Sequence, residues 1–394
     1  MAIIQIDFFR KKSNTKCKIM LLIAFKMLIG NRAAFIGVIF GIFLAILLIS
    51  QQSAIFLGLV SRSYRLVTAT PAPNAWVVDP TTEGEDLVRA MPEDYVRYVK
   101  SLPGVEWALP INYALLPLTT PTGQFRITEI YGIDDATLMG APELLEGNIR
   151  DLHSDGAIIL DSESAKNLLA TNKVPIKIGD TLEINNKRAV VVGIAKMIPG
   201  FFPQPRIYTT TSQYQKFSGS DRVQYIAVKT DDKALKTVLD HINSGSKMLA
   251  LTSDQFSSRI ANHFLKTGIL INFGLSVLLG LIIGFSIAGQ IFYMMTLHNL
   301  SYYALIKALG GSNKLILMMI LSQAILVGLI GYILGTGITL LWGYAISDTT
   351  LAFAFPWQLL TFTGILALLM CIFIATLSIR KVFKMDPQIL MMNT

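Results

Sequence analysis

Four histidines, His153, His241, His263 and His298, are the first residues to weigh for chemistry, and none stands at the short spacing that paired zinc ligands require. No His-Glu-x-x-His, Gly-x-Ser-x-Gly or Gly-x-x-x-x-Gly-Lys-Ser/Thr motif occurs in the 394 residues. Catalysis of hydrolysis by this chain is therefore not expected, nor is a cofactor or metal ion of its own. Cys17 lies in a basic stretch and Cys371 in an apolar one, so neither a disulfide nor a thiolate metal site is anticipated. What remains is polar and local. Asn272, Gln290 and Gln323 interrupt long apolar runs, where an amide most often bonds to a neighbouring helix. The segment HNLSYYALIKALGGSNKLI, beginning at His298, is the most specific local signal. It reads as a short helix carrying Lys307, stopped at Gly310-Gly311, with Ser312 or Asn313 placed to cap the next helix.

The elements that position this segment follow from where charge is missing. No Asp, Glu, Lys or Arg occurs between Arg32 and Arg62, Lys266 and Lys307, Lys314 and Asp348, or Asp348 and Arg380, gaps of 29, 40, 33 and 31 residues. A spanning helix needs only about 20 apolar residues. Four transmembrane helices are expected, over 33–60, 269–297, 315–346 and 357–379. Residues 61–268 carry ordinary charge and turn residues and read as one water-soluble domain inserted between helices one and two. The lack of charge inside the spans argues against an ion or proton path.

The charges bordering the spans orient them. Residues 1–32, 298–314 and 380–394 together hold twelve Lys/Arg and two acids, whereas the rest of the chain holds 22 and 24. All of the +8 surplus thus lies on one side, which the positive-inside rule makes cytoplasmic. Both termini and the 298–314 loop are then inside, and 61–268 and the short turn 347–356 outside. The pI of about 9.3 is a topology signal, and nucleic acid is not an expected partner. The apolar run from Ala33 is too long for a signal-peptide h-region of about 7–15 residues, so a retained anchor is expected. Ahead of it, RKKSNTKCK and LLIAFKMLIGNR have the basic and apolar makeup of a segment lying in the inner interface, with Lys heads among the lipid headgroups.

The soluble region mixes patterns. MPEDYVRYVKSLPG reads as an amphipathic helix with Tyr95, Val99 and Leu102 on one face, stopped by Pro103-Gly104. QFRITEIYGI, GAIIL and KRAVVVGIAKMI read as strands, and IKIGDTLEINNKRAVVVGI as a hairpin turning at Asn185-Asn186. An α+β domain is predicted. PGFFPQP, at 199–205, reads as a loop carrying two phenylalanines. In the spans, the small-residue pairs Gly37/Gly41, Gly280/Gly284 and Gly331/Gly335 would permit close helix packing, including across a dimer.

With these features the chain resembles the MacB/FtsX-type (type VII) permeases of ABC transporters, and particularly their DevC-like branch. The order helix, outer domain, three helices is theirs. SYYALIKALGGS is similar to their inner loop, commonly REYGxLKAxGxS, through Tyr303, Lys307, Ala308, Gly310 and Ser312, with Tyr302 where an acid is usual. LPGVEWALP, the hairpin, LTSDQF and the tail RKVFKMDPQILM add to the likeness across nearly the whole chain. The resemblance implies a bacterial inner-membrane, non-catalytic permease. A separate cytoplasmic ATPase would bind ATP and Mg and press on Tyr302, Tyr303, Leu305, Lys307, Ala308, Leu309, Gly310, Gly311 and Ser312. It further implies a second permease copy and transmission of motion to a MacB-like periplasmic domain. A periplasmic adaptor and an outer-membrane duct would complete an export system for a lipid-like or amphipathic substrate. Two alternatives on the same scaffold are an FtsX-like transmitter that activates a cell-wall enzyme and a lipoprotein-release permease.

Overall fold

The computed structural model describes residues 23–84, 88–169, 174–196, 200, 204–245, 247–266, 268–308, 310–346, 349 and 351–383. Cys17 and the basic stretch around it, Phe201 and Phe202 of the expected loop, Leu309, Asp348 and most of the tail motif lie outside the described residues. Contacts divide the chain into a helical unit, Met1–Gly58 with Leu270–Thr394, and an α/β unit, Leu59–Ile269.

The chain opens with α1 (23–30), α2 (Arg32–Ser63) and α3 (Arg65–Ala69). The α/β unit continues with β1 (Ala75–Val78), α4 (Asp94–Lys100), β2 (Val105–Thr119), β3 (Phe125–Ile133), β4 (Leu144–Gly147), β5 (Ala157–Asp161), β6 (Thr181–Ile184), β7 (Lys187–Ala195) and β8 (Arg206–Thr210). It closes with α5 (Thr211–Ser218), β9 (Tyr225–Thr230), α6 (Leu235–Ser244), β10 (Leu249–Thr252) and α7 (Ser253–Lys266). Then come α8 (Gly268–His298), α9 (Leu300–Ala308), α10 (Asn313–Ala345) and α11 (Trp357–Phe383).

Four of these helices are long and apolar enough to cross a membrane: α2, α8, α10 and the Trp357–Ile379 part of α11. Their shared core includes Ile42, Ala45, Ile46, Ala288, Phe292, Ile320, Val327, Cys371 and Ile374. Close approach in this unit depends on glycine. A Cβ at Gly41 would stand 2.8 Å from the backbone nitrogen of Ala288, and one at Gly37 2.9 Å from Ile291 Cδ1. From the other side, Gly284 faces Ala45 and Gly280 faces Leu48, so α2 and α8 meet through all four glycines. Gly331 and Gly335 of α10 receive Ile42 and Ile46 of α2. The six glycines named for close packing thus all meet helices of their own chain. Each lacks the Cβ that would hold two of these helices apart.

The α/β unit is built on one ten-stranded sheet in the order β10-β1-β9-β2-β3-β8-β5-β7-β4, with β6 paired to β2 and β7. The β3/β8 and β5/β7 pairs are parallel and the others antiparallel. The β6–β7 hairpin turns at Asn185 and Asn186, whose φ values of 49° and 62° are those a two-residue type I′ turn demands and asparagine tolerates. Val96 and Val99 of α4 are buried, with Tyr95 and Leu102 packed partly against the same cluster, and Gly104, at φ +89°, ends that excursion. β5 is buried along its whole length, as expected of a strand covered on both faces.

Candidate functional site

The segment with the most specific sequence signal is built as an elbow. The carbonyl of Asn299 accepts hydrogen bonds from Tyr302 N at 3.1 Å and Tyr303 N at 3.2 Å, starting α9 directly after α8. At the far end Gly310 N donates to Lys307 O at 3.1 Å and Gly311 N to Ile306 O at 2.9 Å. With Gly310 at φ +86°, this is a Schellman ending. The second glycine has its own reason, since a Cβ at Gly311 would meet the Ile306 side chain and carbonyl at 2.7 Å. Ser312 then caps α10, its Oγ accepting from Leu315 N at 3.3 Å. Both turns out of α9 are thus hydrogen-bonded, and its angle to α10 is set by local geometry.

The two faces of α9 differ. Tyr302 and Leu305, one turn apart, are both more than half exposed, and Ala308 and Ser312 are also exposed. Lys307 is half-buried. Tyr303, expected on the partner-facing surface, is 1% exposed and belongs to the helical core with Leu300 and Ile306 packed beside it. Its hydroxyl donates to Gln323 Oε1 at 3.2 Å, and Gln323 Nε2 donates to the carbonyl of Ala24 at 2.8 Å. Burial pushes the Tyr303 phenol well above its ordinary pKa, outweighing the lowering effect of the Gln323 bond. One amide therefore ties α9, α10 and α1 together. Ala24 had no sequence signal. Gln323 had one, as an amide in an uncharged gap, without any indication of its partners.

Sequence reasoning missed a second constellation, in the α/β unit. Glu129 Oε2 on β3 accepts from Arg65 Nη2 at 2.7 Å and from Arg206 Nε at 2.9 Å. Arg65 stands two residues after the end of α2, and its Nη2 also donates to Tyr131 Oη at 3.2 Å. Burial and Arg65 work against the Arg206 cation, but the pull of Tyr208, Tyr131 and Glu129 prevails and holds its pKa above the ordinary arginine value. Asp161 accepts from Arg206 N at 3.0 Å, from Ser164 N at 2.9 Å and from the Ser164 hydroxyl, fixing the start of β8. A cavity of about 30 Å³ adjoins the guanidiniums of Arg65 and Arg206. It admits a water-sized group and is too small for a substrate. This constellation is suited to fastening the start of α3 to the sheet within the α/β unit.

His263 Nδ1 lies 3.0 Å from Glu83 Oε2, and His298 ends α8 at the edge of the elbow. Among the described residues no group of three or more His, Cys, Asp or Glu side chains comes together that would hold a metal ion.

Residues 33–244 match the family described as the MacB-like periplasmic core domain, and residues 273–387 match the FtsX-like permease C-terminal. No curated protein matches the chain at a significant level. Among solved structures, the periplasmic region of MacB from Actinobacillus actinomycetemcomitans is similar at 16% identity, covering 50% of this chain and 98% of that one, with a TM-score of 0.38. The extracellular domain of the noncanonic ABC-type transporter YknZ from Gram-positive bacteria is similar at 13% identity over 45% of this chain and 98% of that one, with a TM-score of 0.35. The family matches, not these distant structural likenesses, carry the assignment.

Proposed function

Because the chain belongs to the family of the MacB-like periplasmic core domain and also carries an FtsX-like permease domain, and so is an ABC transporter permease of type VII, we propose that its helices carry ATP-driven motion from a separate ATPase to its α/β unit. The observation that supports this reading is the α9 elbow. It offers Tyr302, Leu305 and part of Lys307 outward on a helix whose inner face is tied down by Tyr303 and Gln323. A partner that moves such a helix moves α10 with it. ATP and Mg belong to the ATPase, whose closure and opening bias two arrangements of the permease through differential contacts.

In this reading α9 and both termini are cytoplasmic, and the α/β unit, inserted between α2 and α8, is periplasmic. The distribution of Lys and Arg around the spans supports that orientation in a bacterial inner membrane. Two permease copies form the membrane core, and a DevC-like assembly with a periplasmic adaptor and an outer-membrane duct exports a lipid-like or amphipathic substrate. Uncharged spans fit helices that transmit force and enclose no ion path.

Lys307→Glu tests the elbow. It is expected to weaken ATPase association or coupling while leaving insertion and the α/β unit intact; unchanged ATPase stimulation and transport would overturn the role. Purifying the intact complex and identifying its partners tests the rest. An ATPase with an adaptor supports export, whereas an ATPase with a cell-wall hydrolase activator, or with a soluble lipoprotein carrier, replaces it by signalling or lipoprotein release.

A further inference from the structure

Helix α1 has two unlike faces. Ala24 and Leu28, one turn apart, are fully buried in the helical unit. Away from them stand Ile23, Phe25 and Ile29 at 41%, 47% and 36% exposure, with exposed Lys26 among them. Three large apolar side chains turned outward on so short a helix form a surface that needs a cover. Two observations say what covers it. The exposed apolar residues continue along the chain into α2 at Ile36 and Phe40, and α2 is apolar enough to cross a membrane. Residues 1–32 also carry seven Lys/Arg, namely Arg10, Lys11, Lys12, Lys16, Lys18, Lys26 and Arg32, against the single acid Asp7. Outward apolar side chains interleaved with cationic charge beside a spanning helix match the chemistry of a bilayer surface bearing anionic headgroups.

We propose that α1 lies in the headgroup layer of the membrane, with Ile23, Phe25 and Ile29 among the upper acyl chains, and that Lys26 and Arg32 beside them bind anionic phospholipid. The proposal rests on the reading that α2 crosses the bilayer. Since α1 is also joined to Gln323, lipid held by this segment would set the resting position of the same tie that holds α9.

The test uses the full chain in bilayers of phosphatidylcholine with and without phosphatidylglycerol, in a background with Cys17→Ser and Cys371→Ser. Spin labels go on Phe25→Cys and Ile29→Cys, on Leu369→Cys as a marker of the spans, and on the exposed Tyr98→Cys as a marker of water. Labels at 25, 29 and 369 are expected to collide more with oxygen than with a water-soluble nickel chelate, and the label at 98 the reverse. Lipid contact at 369 with water contact at 25 and 29 overturns the proposal and leaves the membrane reading standing; water contact at 369 removes the membrane reading itself. Spin-labelled phosphatidylglycerol should associate with the protein at least about fivefold more strongly than spin-labelled phosphatidylcholine, the effect of a single basic side chain near a charged surface. High salt, Lys26→Gln and Arg32→Gln should each lower that ratio. A ratio near one in the unaltered chain, or one indifferent to salt and to both substitutions, overturns the anionic-lipid assignment.

Discussion

Glu129→Ala is the sharpest probe of how the α/β unit holds α3 to its sheet. One carboxylate oxygen serves two guanidiniums, and the side chains of Glu129, Arg65 and Arg206 are 2%, 6% and 5% exposed. Removing one partner of a buried ion pair costs about 3–5 kcal/mol, chiefly because a charge stays behind without its counter-charge. Here two cations lose the same partner and are left to repel each other, so the upper end of that range, about 5 kcal/mol, is expected. Glu129→Gln keeps the volume and an acceptor oxygen. It weakens two charge-assisted hydrogen bonds to ordinary ones, a loss of about 2 kcal/mol. Hydrogen exchange of the β3 and β8 amides in the full chain measures both variants. At roughly 1.4 kcal/mol per tenfold, the alanine variant should lose between three and four orders of magnitude of protection and the glutamine variant about one and a half. Joint replacement by Arg65→Met, Glu129→Leu and Arg206→Met should restore most of the protection, since well-packed apolar groups often replace a buried ionic cluster at little cost. A loss of less than tenfold in Glu129→Ala would refute the argument that shared charge holds this joint.

Two other substitutions probe the helical unit. Tyr303→Phe leaves Gln323 Oε1 without the phenol donor inside the core and should cost about 1–3 kcal/mol, read as faster exchange of the α9 amides with β3 and β8 unchanged; unaltered α9 exchange would show that the tie does not hold the elbow. Gly284→Ala drives a methyl group into Ala45, an overpacking cost of about 1–3 kcal/mol that lowers the melting temperature, and adding Ala45→Gly should recover it. A double variant no better than the single one would mean that the α2–α8 contact is not limited by this pair.

How much of this was legible in the sequence differs from element to element, for physical reasons. The spans could be read because charge inside a bilayer is costly enough that its absence over some thirty residues is informative without knowing any neighbour. The β6–β7 hairpin was equally readable, since Asn185-Asn186 is one of few pairs that accept two consecutive positive φ values. The inner face of α9 was not. Leu300, Tyr303 and Ile306 point inward while Tyr302 and Leu305 point outward, so apolar residues occur on both faces and periodicity cannot choose between them. The glycine pairs announced close approach without saying to which chain. The joint at Glu129 joins residues 64 and 77 positions apart, and its one clue was an acid in the otherwise apolar register of FRITEIYGI.

The elbow and its inner tie explain each other mechanically. A helix that receives a push from outside transmits it only if its far side cannot slip, and a flexible loop between α8 and α10 would dissipate the displacement in backbone rotation. Here the Schellman ending at Gly310-Gly311 and the Ser312 cap close the loop that would otherwise absorb the motion. On the proposed function, Tyr303 would carry displacement inward to Gln323, about three turns into α10, and Gln323 would hand part of it to the backbone of α1. The exposed residues Tyr302 and Leu305 can therefore vary with the partner they meet, whereas Tyr303, Gln323 and the two glycines are constrained by the chain itself. If an ATPase docks on α9 as proposed, substitutions on the outer face should alter its binding, and substitutions on the inner tie should alter how much of its motion arrives.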